Sequence, residues 1–394
     1  MFNVKQLNPI SDAIYKYLKQ DKYTVSKDTQ EYDAILVRSA KCHDMEFPQS
    51  LEAIARAGAG VNNIPIERCT KDGIVVFNTP GANANGVKEL VLAAMFIASR
   101  NILEATSWAK TLIGKGDEVL PLVEKGKSQF VGPELAGKTL GVIGLGAIGV
   151  MVANAAHSLD MKVIGYDPYI SIESAWGLSQ DVSRAHDLDE LIAKSDYITL
   201  HIPLMDKTKK FIGKEEFAKM KSNVVILNFA RNGLLDYEPL FDALDNNKIG
   251  RYVTDFPNER LLEHDNVISI PHLGASTPES EENCAKMAAK QLRNYLEEGR
   301  IVNSVNMPEC TLAFTGQYRI AVIHENTSGM VGKMTAMLAE LGANITDMMN
   351  KSRGDIAYTV INLDEKVADN VAGSIGEMDG VIKVKTFVKE TGAW

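Results

Sequence analysis

Apolar positions fall in short, dense runs along most of this chain, separated by stretches of mixed polarity. FNVKQL and YDAILVRS read as strands, SDAIYKYLKQ and SLEAIARAG as helices, and GIVVFNTP as another strand. Such alternation predicts a parallel sheet covered by helices. The helical period of VKELVLAAMFIASRNILEA predicts one long helix from about Gly86 to past Trp108. From Leu140 the runs strengthen: TLGVIGLG, MKVIGYD, YITLHIP, VVILNFA, YVTDF and VISIPH are each rich in Val or Ile. Six such strands fit a doubly wound α/β sheet buried on both faces.

A long, mostly polar-faced helix is expected from Ser276 to Gly299, able to carry the chain back to the first domain. The aperiodic NSVNMPECTLAFTGQ marks a boundary. Beyond it YRIAVIHEN, Gly329–Gly342, NITDMMNKS, IAYTVINLD, Val367–Met378 and VIKVKTFV follow in the order βαββαβ, the ferredoxin-like arrangement. The expected division is a discontinuous first domain over 1–83 and 279–312, a doubly wound domain over 84–278, and a C-terminal domain over 317–394.

With 394 residues the chain is too long for one ordinary core. Its net charge of −9 excludes a non-specific nucleic-acid binder, which needs a basic face, but not a local pocket for a small anion. Cys42, Cys69, Cys284 and Cys310 form no C-x-x-C pair, so neither a metal site nor a redox motif is expected. The N-terminal stretch lacks a signal-type apolar region, and Leu90–Ala98 is too short to span a bilayer. A cytoplasmic protein is expected, with no membrane partner.

Gly144-Leu-Gly146-Ala-Ile-Gly149 ends one strong strand and opens a helix, the context that gives a G-x-G-x-x-G motif its meaning. Gly144 allows the tight turn, Gly146 a close approach of a pyrophosphate, and Gly149 close packing of helix on sheet. Gly146, Ala147 and Ile148 would face the phosphates at the helix N-terminus. Asp167 closes the next strand, 23 residues after Gly144, where an acid accepts from ribose hydroxyls and repels a 2′-phosphate. The expected cofactor is therefore NAD rather than NADP.

Strand C-termini face the ligand crevice in such sheets. His272, in Pro271-His272-Leu273-Gly274-Ala275, is the best candidate base, since an imidazole titrates near neutrality. Arg231, after VVILNFA, can clamp a carboxylate through a planar guanidinium. Glu259 lies between them and would hold the imidazole and favour its protonated form. His201, also at a strand end, reads as structural or as an edge of the cofactor site.

Arg, Glu and His in this order resemble the catalytic set of the D-isomer-specific 2-hydroxyacid dehydrogenases. RAGAGVNNI, FNTPGANANGVKELV, PHLGAST and SVNMPE extend the similarity over nearly the whole chain. The resemblance implies a Rossmann-type NAD domain, a flavodoxin-like substrate domain, and Arg231, Glu259 and His272 as the catalytic residues. It places Phe229, Ala230, Arg231, Asp255, His272, Gly274 and Ala275 near the nicotinamide. It places Arg38, Ser39, Ala59, Gly60, Val61, Asn83, Arg231 and His272 around the substrate. The implied reaction is NAD-dependent oxidation of 3-phospho-D-glycerate to 3-phosphooxypyruvate, the first step of L-serine synthesis. The spacing from Asp255 to Glu259 is one residue shorter than the family pattern, and Arg260 stands where a proline is common.

The tail resembles an ACT domain, a module that often binds amino acids at a subunit interface. His324, Asn326, Asn344 and Ile345 match positions that bind L-serine in related enzymes, implying a serine effector and a homodimer or homotetramer. Thr327-Ser328-Gly329 stands where a proline often precedes the glycine. Two other readings are a dehydrogenase of another D-2-hydroxy acid, such as glycerate or lactate, and a non-catalytic NAD-sensing protein.

Overall fold

Three sheets organise the chain in a computed structural model that describes residues 1–366 and 370–389. The first is five-stranded and parallel: β1 (Phe2–Gln6), β2 (Tyr23–Ser26), β3 (Ala34–Val37), β4 (Ala53–Arg56) and β5 (Val75–Phe77), in the order β2-β1-β3-β4-β5. That is the flavodoxin-like order. The second holds β6 (Thr139–Ile143), β7 (Lys162–Tyr166), β8 (Ser183–Arg184), β9 (Tyr197–Leu200), β10 (Val224–Asn228), β11 (Ile249–Thr254) and β12 (Val267–Ser269). Its order, β12-β11-β10-β9-β6-β7-β8, is the Rossmann order with one added strand, and every pairing is parallel. The third sheet is antiparallel: β13 (Tyr318–Glu325), β14 (Ile345–Arg353), β15 (Ile356–Leu363) and β16 (Val381–Val388), ordered β14-β15-β13-β16 as in ferredoxin-like domains.

The chain forms two compact units, Met1–Ala82 with Glu281–Trp394, and Asn83–Ser280. By its contacts the antiparallel tail groups with the first sheet. On β13, Ile320 and Val322 face helix Met330–Glu340 and its neighbour Asn370–Gly376, whereas Ala321 and Ile323 join Val4, Leu36 and Leu292 in the core of the first unit. Arg319, fully buried, ties the tail down by donating to the Glu298 and Leu312 carbonyls at 2.6 and 2.9 Å and to Asn362 Oδ1 at 2.7 Å.

Three local expectations change. SLEAIARAG holds strand β4 instead of a helix, because Ala53, Ile54 and Ala55 are fully buried between two parallel neighbours. SDAIYKYLKQ forms only a 3-10 turn, Asp12–Lys16. The single long helix is two, Ala84–Arg100 and Ile102–Lys110, bent by 65° at Asn101, whose left-handed φ of 48° ends the first. Edge strands β2 and β8 are short and carried no clear alternation. The last tail helix is Asn370–Gly376, and Val367, Ala368 and Asp369 of the expected helix lie outside the described residues. Among the described residues no single helix is long and apolar enough to cross a membrane. All four cysteines are buried and free.

Candidate active site

The glycine loop between β6 and helix Ala147–His157 is built by steric necessity. Gly144 has φ +91°, and a Cβ there would lie 2.6 Å from the His201 carbonyl oxygen. A Cβ on Gly149 would lie 1.9 Å from the Gly144 carbonyl oxygen, so helix and loop meet only through glycine. At Gly146 no atom stands within 4 Å of such a Cβ. The bare backbone there faces open space, beside helix N–H groups that have no partner in their own helix. Asp167 accepts from Leu145 N and Tyr169 N, both at 2.8 Å, which sets the loop and leaves the carboxylate with acceptor capacity.

His201 lies beneath this loop. Its Nε2 meets Thr199 Oγ1 at 3.0 Å, its Nδ1 is buried without a partner, and burial pushes its pKa down to about 3. It is a neutral packing residue of the loop.

Arg231 follows β10 in a turn stapled by Asn228, a buried residue that the sequence reading passed over. Asn228 Oδ1 accepts from Ala230 N and Arg231 N at 3.2 and 3.4 Å, and its Nδ2 donates to the Arg231 carbonyl at 2.9 Å. The available signal was one amide side chain inside an otherwise apolar strand. Arg231 Nη1 donates to the Ala230 carbonyl at 2.7 Å, leaving the outer edge of the guanidinium for a ligand.

Asp255, directly after β11, is 1 % exposed; among the described residues no group meets its carboxylate oxygens in good hydrogen-bond geometry, though its own N–H and that of Gly274 act on it. Burial raises its pKa, opposed by the charges of His272 and Arg231. His272 brings Nε2 to 3.9 Å from Asp255 Oδ2, and its exposed ring packs on Phe256 with centroids 4.8 Å apart. Arg231, after β10, and His272, after β12, thus follow the two strands that flank β11, which leads into Asp255. Gly274 lies beside it, where an added Cβ would stand 3.8 Å from Asp255 Oδ2 and 3.1 Å from Val87 Cγ2.

Glu259 does not join this group. It opens helix Glu259–Glu263, capped by Asn258, which accepts from Leu261 N at 2.9 Å. It is exposed and makes no ion pair or hydrogen bond among the described residues. Glu259 thus stands on a solvated helix start, while Asp255 lies beside the imidazole.

The expected substrate residues, apart from Asn83, Arg231 and His272, lie in the first unit. Arg38, ending β3, pairs with Glu281 at 2.6 Å, and Asn8 Oδ1 gathers the N–H groups of Arg38, Ser39 and Ala40 at 3.0 to 3.1 Å. Those N–H groups are therefore occupied. The N–H groups of Ala59, Gly60 and Val61 donate to nothing among the described residues. Arg56, another residue the sequence reading missed, lays its guanidinium against this loop, with Nη1 2.7 Å from a Cβ built on Gly58. Free N–H groups beside a guanidinium make an anion cradle. Asn83 precedes helix Ala84–Arg100 without a side-chain capping bond.

In the tail the four effector positions do not converge within one chain. His324 pairs with Ala357 and Ile345 with Leu363, so they lie six residues apart along β15, roughly 20 Å. Both His324 ring nitrogens are engaged, with the Glu325 carbonyl and Thr359 Oγ1, each at 2.8 Å. Asn326 donates to the Gly354 carbonyl and Asn344 to Asp364.

Residues 92–274 match the family model of the D-isomer-specific 2-hydroxyacid dehydrogenase, NAD binding domain. The D-3-phosphoglycerate dehydrogenase of Methanocaldococcus jannaschii is 42 % identical over 288 residues, 71 % of this chain and 52 % of that protein. The enzyme of the same name from Homo sapiens is 34 % identical over 311 residues, 75 % of this chain and 55 % of that protein. The chain thus spans about half the length of the curated relatives it matches. Among solved structures, the NAD+-bound 3-phosphoglycerate dehydrogenase of Entamoeba histolytica aligns with TM-score 0.59 and 28 % identity, covering 77 % of this chain and 98 % of that one.

Proposed function

We propose that the chain, whose residues 92–274 match the NAD binding domain of the D-isomer-specific 2-hydroxyacid dehydrogenases, is an enzyme of that kind and oxidises 3-phospho-D-glycerate to 3-phosphooxypyruvate with NAD. The observation that carries this reading is the approach of His272 Nε2 to 3.9 Å from the buried carboxylate of Asp255, with Arg231 just past the end of the neighbouring strand β10. The second unit fits the cofactor. The open space at Gly146 suits a pyrophosphate, the spare capacity of Asp167 suits ribose hydroxyls, and the orphaned oxygens of Asp255 suit an amide donor.

NAD, when bound, supplies the acceptor for the hydride leaving C2. His272 takes the proton of the C2 hydroxyl on the ring nitrogen not turned to Asp255, and the buried carboxylate stabilises the imidazolium that results. Arg231 holds the substrate carboxylate and polarises the C2 oxygen through its free N–H groups. In the first unit, the Ala59–Val61 cradle with Arg56 and Arg38 is in keeping with a substrate bearing two anionic groups. A cytoplasmic homo-oligomer accords with this reading. Phe96, Ile102 and Leu103 leave a partly exposed apolar strip that a second copy would cover. Serine regulation would need residues from two tails, since one chain separates His324 from Asn344.

The test is NADH consumption with phosphohydroxypyruvate, hydroxypyruvate and pyruvate in turn, with and without L-serine. The phosphorylated acid should be preferred, and His272→Ala should abolish turnover while NADH binding is kept. Preference for an unphosphorylated acid, or near-normal turnover of His272→Ala, would overturn the reading.

A further inference from the structure

We propose that the first unit carries a second anion site, distinct from the dehydrogenase site, that takes a small phosphomonoester bearing a free hydroxyl. It lies along helix Pro278–Glu298, which presents two unlike faces. Ala285, Ala288, Leu292 and Leu296 are buried in the core of the first unit. The flank carrying Lys286, Lys290 and Arg293 lines a cleft of about 660 Å³, which Arg300 enters from beyond the helix end. Four cations and no acid line this cleft, in a chain whose net charge is −9.

A basic helix flank alone is usually just solvated. Two buried polar atoms make this one different. Gln291 is 4 % exposed; its Nε2 donates to the Asn78 carbonyl at 2.9 Å, which fixes the amide, and its Oε1 has no partner among the described residues. Arg300 Nε is likewise buried without an acceptor among the described residues. Both residues line the cleft. An orphaned acceptor and an orphaned cationic donor are each costly when left unmet. One ligand meets both if it offers an anionic oxygen to Arg300 and a hydroxyl hydrogen to Gln291.

The charge balance favours a dianion. Lys286 meets Glu282 at 2.5 Å and Arg300 Nη1 meets Glu298 at 3.4 Å, but Lys290 and Arg293 have no carboxylate within ion-pair distance among the described residues. Arg293 is held by Tyr17, whose ring centroid is 5.4 Å from its Cζ, and by Asn294 Oδ1 at 3.1 Å. Two uncompensated cations match the charge of a phosphomonoester. Gly81 and Ala82, also in the lining, are the last residues before the chain leaves this unit.

The test is calorimetric titration of the full chain with sn-glycerol 3-phosphate and, separately, with inorganic phosphate. Glycerol 3-phosphate should bind more tightly than inorganic phosphate. The Lys286→Glu/Lys290→Glu variant, altered only at the helix surface, should weaken it at least about tenfold without lowering the unfolding temperature appreciably. Gln291→Met should bring its affinity down to that of inorganic phosphate. Arg231→Met should leave it unchanged, which separates this site from the dehydrogenase site. Failure of glycerol 3-phosphate to bind at millimolar concentration, binding that survives the charge reversal, or binding lost with Arg231→Met would each overturn the proposal. Equal affinity for the two anions would overturn the role given to Gln291.

Discussion

Nε2 of His272 stands 3.9 Å from Oδ2 of Asp255, and that carboxylate is buried away from water. The neighbouring cations therefore face a negative charge that water does not screen. Asp255→Asn keeps the shape and removes the charge. Its kcat/KM should fall about a hundredfold in steady-state assays. Stability should move the other way. The native carboxyl keeps its proton above the ordinary value of 3.8, so above that pH the unfolded chain binds fewer protons and wild-type stability falls as pH rises through the window. The gain in unfolding temperature of Asp255→Asn should therefore widen as pH is raised from about 4. A gain independent of pH would count against the assignment.

Glu259→Gln tests the other carboxylate. On an exposed helix start with no partner, it should leave kcat/KM within about threefold of wild type. A hundredfold loss would restore Glu259 to the imidazole.

Asn228 shapes the turn that carries Arg231. Asn228→Ala removes the bonds that shape the turn and should cost about 1–3 kcal/mol in denaturant unfolding. KM for the keto acid should rise more than kcat falls, because the guanidinium is displaced rather than deleted.

Two glycines of the nucleotide loop should respond in opposite ways. Gly146→Ala adds a methyl group into open space, so the unfolding temperature should hold while KM for NADH rises about tenfold. Gly149→Ala would drive a methyl group to 1.9 Å from the Gly144 carbonyl oxygen and should lower the unfolding temperature sharply.

His201 gives an acid signature. Its folded pKa, pushed down to about 3, lies below the ordinary 6.5, so between those values the unfolded chain takes up a proton that the native one refuses. Stability from this residue is present above pH 6.5 and is lost as pH falls towards 3. His201→Gln should flatten that part of the stability profile, measured by chemical denaturation across the range.

The sequence by itself determined the sheet-forming runs, the glycine loop with its strand-end aspartate, and the placing of Arg231 and His272 after strands. Each depends on local sterics or on burial of consecutive side chains, and both act within a few residues. Only the tertiary structure decided that SLEAIARAG becomes a strand, because that depends on neighbours supplied by distant segments. It alone brought the Asp255 carboxylate to 3.9 Å from His272, because that depends on how the ends of β11 and β12 lie side by side. The docking of the tail into the first unit and the stapling roles of Asn8 and Asn228 were equally out of reach. The tail and Asn8 rest on contacts between residues far apart along the chain, and the Asn228 turn, though local, rests on a side chain aimed back at its own backbone.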